Sequence, residues 1–168
     1  TLGLKIGKLA DLRGAVGKPL AGSLTANINT DSTGDVPVVH ARLDGHGSLA
    51  DMRLGSLAFK GDVRDPAGKP AVDLSLKLGG IAAQGITGSA HLGARGPLEA
   101  MVLDAGVGPA GWGGKPLSLA MEALLDVPDQ KVTLRRLNAS ARGENLRLLG
   151  PAVLTYGATL GVDRLHAT

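Results

Sequence analysis

The chain has 168 residues, 18 Lys and Arg against 15 Asp and Glu, a formal net charge of +3 and no cysteine; its aromatic residues are Phe59, Trp112 and Tyr156. This composition excludes disulfides, thiolate metal centres and cysteine nucleophiles, and leaves too few aromatic faces for a base-stacking platform, so nucleic acid is not expected as a partner. Gly 26 and Pro 9 make about a fifth of a chain that is 43 % hydrophobic, a balance that suits many short strands with tight turns.

Period-two alternation predicts those strands, because successive side chains on a strand point to opposite faces. Leu20, Gly22, Leu24, Ala26 and Ile28 alternate with Ala21, Ser23, Thr25, Asn27 and Asn29. Val39, Ala41 and Leu43 oppose His40, Arg42 and Asp44. Leu57, Phe59, Gly61 and Val63 oppose Ala58, Lys60, Asp62 and Arg64. Val72, Leu74, Leu76 and Leu78 oppose Asp73, Ser75 and Lys77. Ile86, Gly88, Ala90, Leu92 and Ala94 form the next row. A strand from Glu99 carries Met101, Leu103, Ala105 and Val107, and another carries Leu117, Leu119, Met121, Ala123 and Leu125. Shorter strands are predicted around Val132–Leu134, Leu137–Ala141, Leu146–Leu148, Val153–Tyr156 and Ala158–Val162. Turns are predicted at Asp65–Pro70, from Gly106 to Pro116, and at Asp126–Gln130.

Gly-Lys-Pro recurs at Gly17, Gly68 and Gly114, each time ahead of an alternating strand. Such echoes suggest a stacked, repetitive β structure forming one domain over residues 1–168. The chain opens on Thr1 and ends inside patterned sequence, as a piece cut from a longer protein would. No apolar run approaches the roughly 20 residues a membrane-spanning helix needs.

One apolar face per strand must be covered. Two solutions fit: a closed β-sandwich or solenoid acting as a structural spacer of a secreted or surface protein, or an elongated, twisted antiparallel sheet folded into a U-shaped trough. A trough would be lined by Leu24, Ile28, Leu43, Leu57, Phe59, Val63, Val72, Leu74, Leu76, Leu78, Ile86, Leu92, Met101, Leu103, Leu117, Leu119, Met121 and Leu125. Aliphatic walls without a fixed polar hook suit acyl chains rather than sugars or nucleotides, which need directed donors and acceptors.

The remaining motifs point to no catalysis, metal or cofactor. Gly106-Val107-Gly108-Pro109-Ala110-Gly111 matches G-x-G-x-x-G, but Pro109 and Pro116 deny the helix a dinucleotide site requires, so a glycine turn is expected. His40, Asp44 and His46 share a strand face with Arg42 among them, which reads as a solvated outer surface. No carboxylate pair stands out as an acid/base couple. Arg135-Arg136 reads as a surface pair, and Trp112 as packing over its turn.

The sequence of turn, Gly-Lys-Pro and alternating strand resembles the periplasmic β-rich region of the TamB-like translocation and assembly module family, within the AsmA-like group. The C-terminal third carries this most strongly, through Gly96-Pro97-Leu98-Glu99-Ala100, Leu137-Asn138-Ala139-Ser140, Leu148–Leu154 and Leu160–Leu165. The resemblance implies a taco-shaped sheet with an apolar interior that moves phospholipid between the inner and outer membranes and supports outer-membrane biogenesis. It further implies a periplasmic location in a diderm bacterium, an inner-membrane anchor outside this chain, and an outer-membrane barrel partner. The partners expected of this chain itself are phospholipid acyl chains.

Overall fold

The structure, a computed structural model, describes residues 2–8, 20–156, 161–163 and 168. The described residues form strands and turns, with no helix: β1 (Leu2–Ile6), β2 (Leu20–Asp31), β3 (Val38–Leu49), β4 (Met52–Arg64), β5 (Ala71–Ala83), β6 (Ile86–Pro97), β7 (Met101–Trp112), β8 (Lys115–Asp126), β9 (Lys131–Ala141), β10 (Glu144–Arg147), β11 (Ala152–Thr155) and β12 (Gly161–Asp163). They make one antiparallel sheet in the order β1-β2-β3-β4-β5-β6-β7-β8-β9-β11-β12, which does not close on itself. β9 carries β8 on one side; on the other it carries β10 along Asn138–Ala141 and β11 along Lys131–Leu134.

Turn chemistry gives the sheet two unlike rims. On one rim the hairpins are two-residue turns. Gln84-Gly85, Gly113-Gly114 and Arg142-Gly143 have positive φ at both central positions, the type I′ geometry that matches strand twist and favours glycine. On the other rim lie the longer loops at 32–37, 65–70, 98–100 and 127–130. Asp65 organises one of them, its Oδ2 accepting from the Lys69 amide at 2.8 Å. Neighbouring loops are also bonded to one another: the Asp65 amide donates to the Pro37 carbonyl, and the Val127 amide to that of Leu98, both at 2.9 Å.

The ladder is interrupted by bulges. Register shifts between Gly45 and Gly47, Leu78 and Ile81, and Val107 and Ala110 place extra residues at Gly55-Ser56 in β4, Gly79-Gly80 in β5 and Gly108-Pro109 in β7. These three lie at one level across the sheet, near the short-turn rim. A fourth, at Arg135 in β9, sits closer to the other rim. Bulges bend a strand and sharpen its local twist, so the three aligned ones mark a crease running across the strands. At the crease the backbones come close: a Cβ on Gly55 would sit 3.2 Å from the Gly79 carbonyl oxygen and 3.2 Å from Gly80 Cα.

Four expectations are corrected. The stretch from Gly106 to Pro116 is strand except for Gly113-Gly114; Pro109, which has no N–H to give, sits where the bulge removes the need for one. Glu99 lies in a turn, where the Ala100 amide donates to the Pro97 carbonyl at 3.1 Å, and the strand begins at Met101. The two strands expected around 132–134 and 137–141 are the single β9, because Arg135 bulges and resets the alternation. Trp112 ends β7 ahead of the turn rather than lying in it. Of the Gly-Lys-Pro echoes, Gly17–Pro19 lies outside the described residues, as do 158–160 of the last predicted strand.

Candidate functional site

Residues directly opposite each other in an antiparallel pair share a face, so the register assembles the apolar side chains into rungs crossing the sheet. The first, nearest the long-loop rim, reads Val39, Val63, Val72, Gly96 on β3–β6, then Met101, Leu125, Val132 and Leu154. The second reads Ile28, Ala41, Gly61, Leu74, Ala94, Leu103, Ala123, Leu134 and Ala152. The third reads Ala26, Leu43, Phe59, Leu76, Leu92, Ala105, Met121 and Leu137. The fourth reads Leu24, Gly45, Leu57, Leu78, Ala90, Val107, Leu119, Ala139 and Leu146. Beyond the crease come Gly47 with Leu54, Ile81 with Gly88, Ala110 with Leu117, and Ile86 with Trp112. All eighteen residues picked from the sequence therefore fall on this one face. Leu54, Ile81 and Trp112 share it and were missed; their signal was present as a change in the phase of alternation.

This face covers itself sideways. On most strands a large residue of one rung lies beside a small residue of the next, as with Phe59 and Gly61, Leu92 and Ala94, or Met121 and Ala123. A Cβ on Gly61 would sit 2.9 Å from both Phe59 Cζ and Leu74 Cδ2, so those side chains lie across the glycine. The most deeply buried residues are accordingly small ones, Ala123 at 1 % and Ala152 at 0 % exposure. Among the described residues no large side chain is fully buried, and Leu92, in mid-face, is 45 % exposed. The chain's accessible surface of 10896 Å² compares with about 7,700 Å² for a compact monomer of this mass. A single sheet over which the described residues place no second layer fits that excess.

At the crease the apolar face holds a hollow of about 370 Å³, lined by Leu24, Leu49, Met52, Leu54, Leu57, Leu78, Ile81 and Ala83, with Gly45 and Gly47 in its lining. Its size falls in the range of small-molecule sites, about 300–1,000 Å³.

The opposite face is a ladder of ion pairs. Glu122 accepts from Arg136 at 2.7 Å, Asp44 from Arg42 at 2.8 Å, and Asp73 faces Arg95 at 3.3 Å. His40 Nδ1 lies 2.6 Å from Asp62 Oδ1, with Lys60 3.5 Å from the other oxygen. The hydrogen bond from His40 holds the Asp62 carboxyl below the ordinary aspartate range, against a smaller opposing cost of burial. His46 approaches Ser23 Oγ at 3.4 Å, so His40, Asp44 and His46 turn to separate partners. No group of three metal-ligating side chains converges among the described residues. Trp112 carries the Arg142 guanidinium 3.8 Å above its ring. Glycines make room for two outer-face side chains: the His91 ring lies over Gly106 and the Asp104 carboxylate over Gly93.

Comparison with protein-family models, with curated proteins and with solved structures finds no match to this chain.

Proposed function

We propose that this chain is a segment of a phospholipid conduit: a sheet curved into a U-shaped trough whose apolar face shields acyl chains while headgroups remain in water. On this reading it belongs to an envelope-spanning periplasmic protein of the TamB-like kind, anchored in the inner membrane by a segment elsewhere and meeting an outer-membrane barrel partner.

The observation that carries the reading is the set of four apolar rungs on one face, three running from β2 to β9 and the first from β3 to β9, over which no described residue forms a covering layer. Eight strands at about 4.8 Å spacing span roughly 34 Å, against about 30 Å for a bilayer's hydrocarbon core. The aligned bulges supply a crease about which such a sheet can curve. Transfer needs no reaction, because each methylene buried gains about 0.8 kcal/mol, and a uniform row of aliphatic side chains lets a chain slide without breaking a directed bond.

Native mass spectrometry after detergent-free purification tests this. Bound species with phospholipid masses, displaced by added phospholipid, are expected. A clean protein mass, unchanged after incubation with phospholipid vesicles, would contradict the conduit.

A further inference from the structure

The hollow at the crease has a second recess directly behind it, and Arg53 borders both. Gly45 and Gly47 occupy apolar-face positions on consecutive rungs without a side chain, and Leu24, Leu57 and Leu54 flank the gap they leave. Behind the same stretch, a second recess of about 300 Å³ is formed by Ala21, Gly22, His46, Ser48, Arg53 and Gly55. Arg53 borders both recesses, is exposed, and has no carboxylate partner among the described residues. It stands one residue inside the short turn at Ala50-Asp51, where the two faces meet around the rim.

We propose that this rim is a seat for one anionic phospholipid: an acyl chain fills the crease hollow and the phosphate lies against the Arg53 guanidinium. The seat rests on the conduit reading and sharpens it, by making one end of β2–β5 the place where a lipid is held by its head as well as its tail. A guanidinium donates two parallel hydrogen bonds to a phosphate, and among the described residues no other Lys, Arg, Asp or Glu lines the hollow. Amphiphiles without an anionic group gain only the tail term, and in phosphatidylcholine the choline cation sits beside the phosphate that Arg53 would contact. Free fatty acids offer a carboxylate in place of the phosphodiester.

The absence of cysteine permits single-site labelling. A bimane label goes on Ala83→Cys, at the margin of the hollow, or on Ala105→Cys, in mid-face. Each is titrated with phosphatidylglycerol, phosphatidylcholine or free oleate carrying brominated acyl chains. Phosphatidylglycerol should quench the hollow label at about tenfold lower concentration than the mid-face label. Arg53→Ala should weaken that quenching roughly tenfold, the scale of one charged hydrogen bond, leaving the mid-face label unchanged, and Arg53→Lys should restore most of it. Equal midpoints at the two labels would overturn the seat and leave the conduit standing. Indifference to Arg53→Ala would overturn the phosphate contact, and phosphatidylcholine matching phosphatidylglycerol would overturn the preference for a net anionic headgroup. Oleate binding more tightly than phosphatidylglycerol would overturn phospholipid as the occupant. No quenching at either label would overturn the conduit itself and the seat with it.

Discussion

Phe59 and Gly61 illustrate how a single layer stays folded: the ring and the Leu74 side chain lie across a position that has no side chain of its own. The same arrangement at Met121 and Ala123 leaves Ala123 at 1 % exposure while Leu92 keeps 45 %. Enlarging a covered small residue should therefore cost more than trimming an uncovered large one. Ala123→Leu is expected to destabilise by about 1–3 kcal/mol through overpacking, and Leu92→Ala by about 1 kcal/mol, since only about half of the side chain is out of water. Urea midpoints compare the two, and the reverse order would mean that the face is covered by something else. On the outer face Asp62 titrates below its ordinary range because His40 holds its charged form. A depressed carboxyl stabilises the fold above its unfolded pKa and loses that contribution as pH falls through its folded value. Asp62→Asn should thus lower stability at pH 6 by roughly 0.2–1 kcal/mol, the scale of exposed pairs, with the difference from the parent vanishing as pH falls through the lowered Asp62 value.

At the scale of elements, bulges set which face each strand segment presents. In β9 the even residues Val132 and Leu134 face the apolar side before Arg135, and the odd residues Leu137, Ala139 and Ala141 after it. Deleting Arg135 would make the alternation continuous and keep both sets on the apolar face without the bulge, whereas a residue inserted after Leu137 would turn Ala139 and Ala141 outward, because a one-residue slip exchanges faces. By hydrogen exchange the insertion variant should lose amide protection in β8–β11 while the Arg135 deletion keeps it; the reverse order would show that the bulge does not set the register. The flat stretches of β2, β3 and β6 were legible in the sequence, since unbroken alternation fixes both strand and face. The ends of β4, β5 and β7 were less so. Their phase shifts at Gly55-Ser56, Gly79-Gly80 and Gly108-Pro109 read as breaks between elements, because Gly and Pro are also what turns are made of. Leu54, Ile81 and Trp112 went unassigned for that reason, and with them the crease and its hollow. Strand pairing order was not in the alternation at all; the short turns, which allow only adjacent antiparallel neighbours, determine it.

For the whole molecule, the question is what occupies an aliphatic face that no part of the described chain covers. Leu119→Asp distinguishes an occupied open face from a closed core. On an open face the carboxylate reaches water, so near-parent circular dichroism is expected with loss of bound lipid, because a hydrated charge sits where chains must pass. Global unfolding, with Ser118→Asp unaffected, would mean that Leu119 is sealed in a dry core.

The most direct measurement is face-resolved photo-crosslinking. Benzoylphenylalanine is placed at Leu74, Leu76, Leu119 or Met121 on the apolar rungs, and at Asp73, Ser75, Ser118 or Glu122 on the polar ones, and irradiated in the presence of radiolabelled phospholipid. Lipid adducts are expected at the first four positions and not at the second four, as one-residue steps exchange the faces. Equal labelling of both sets, or labelling of the polar set alone, would contradict the assignment of this sheet as a lipid-shielding surface.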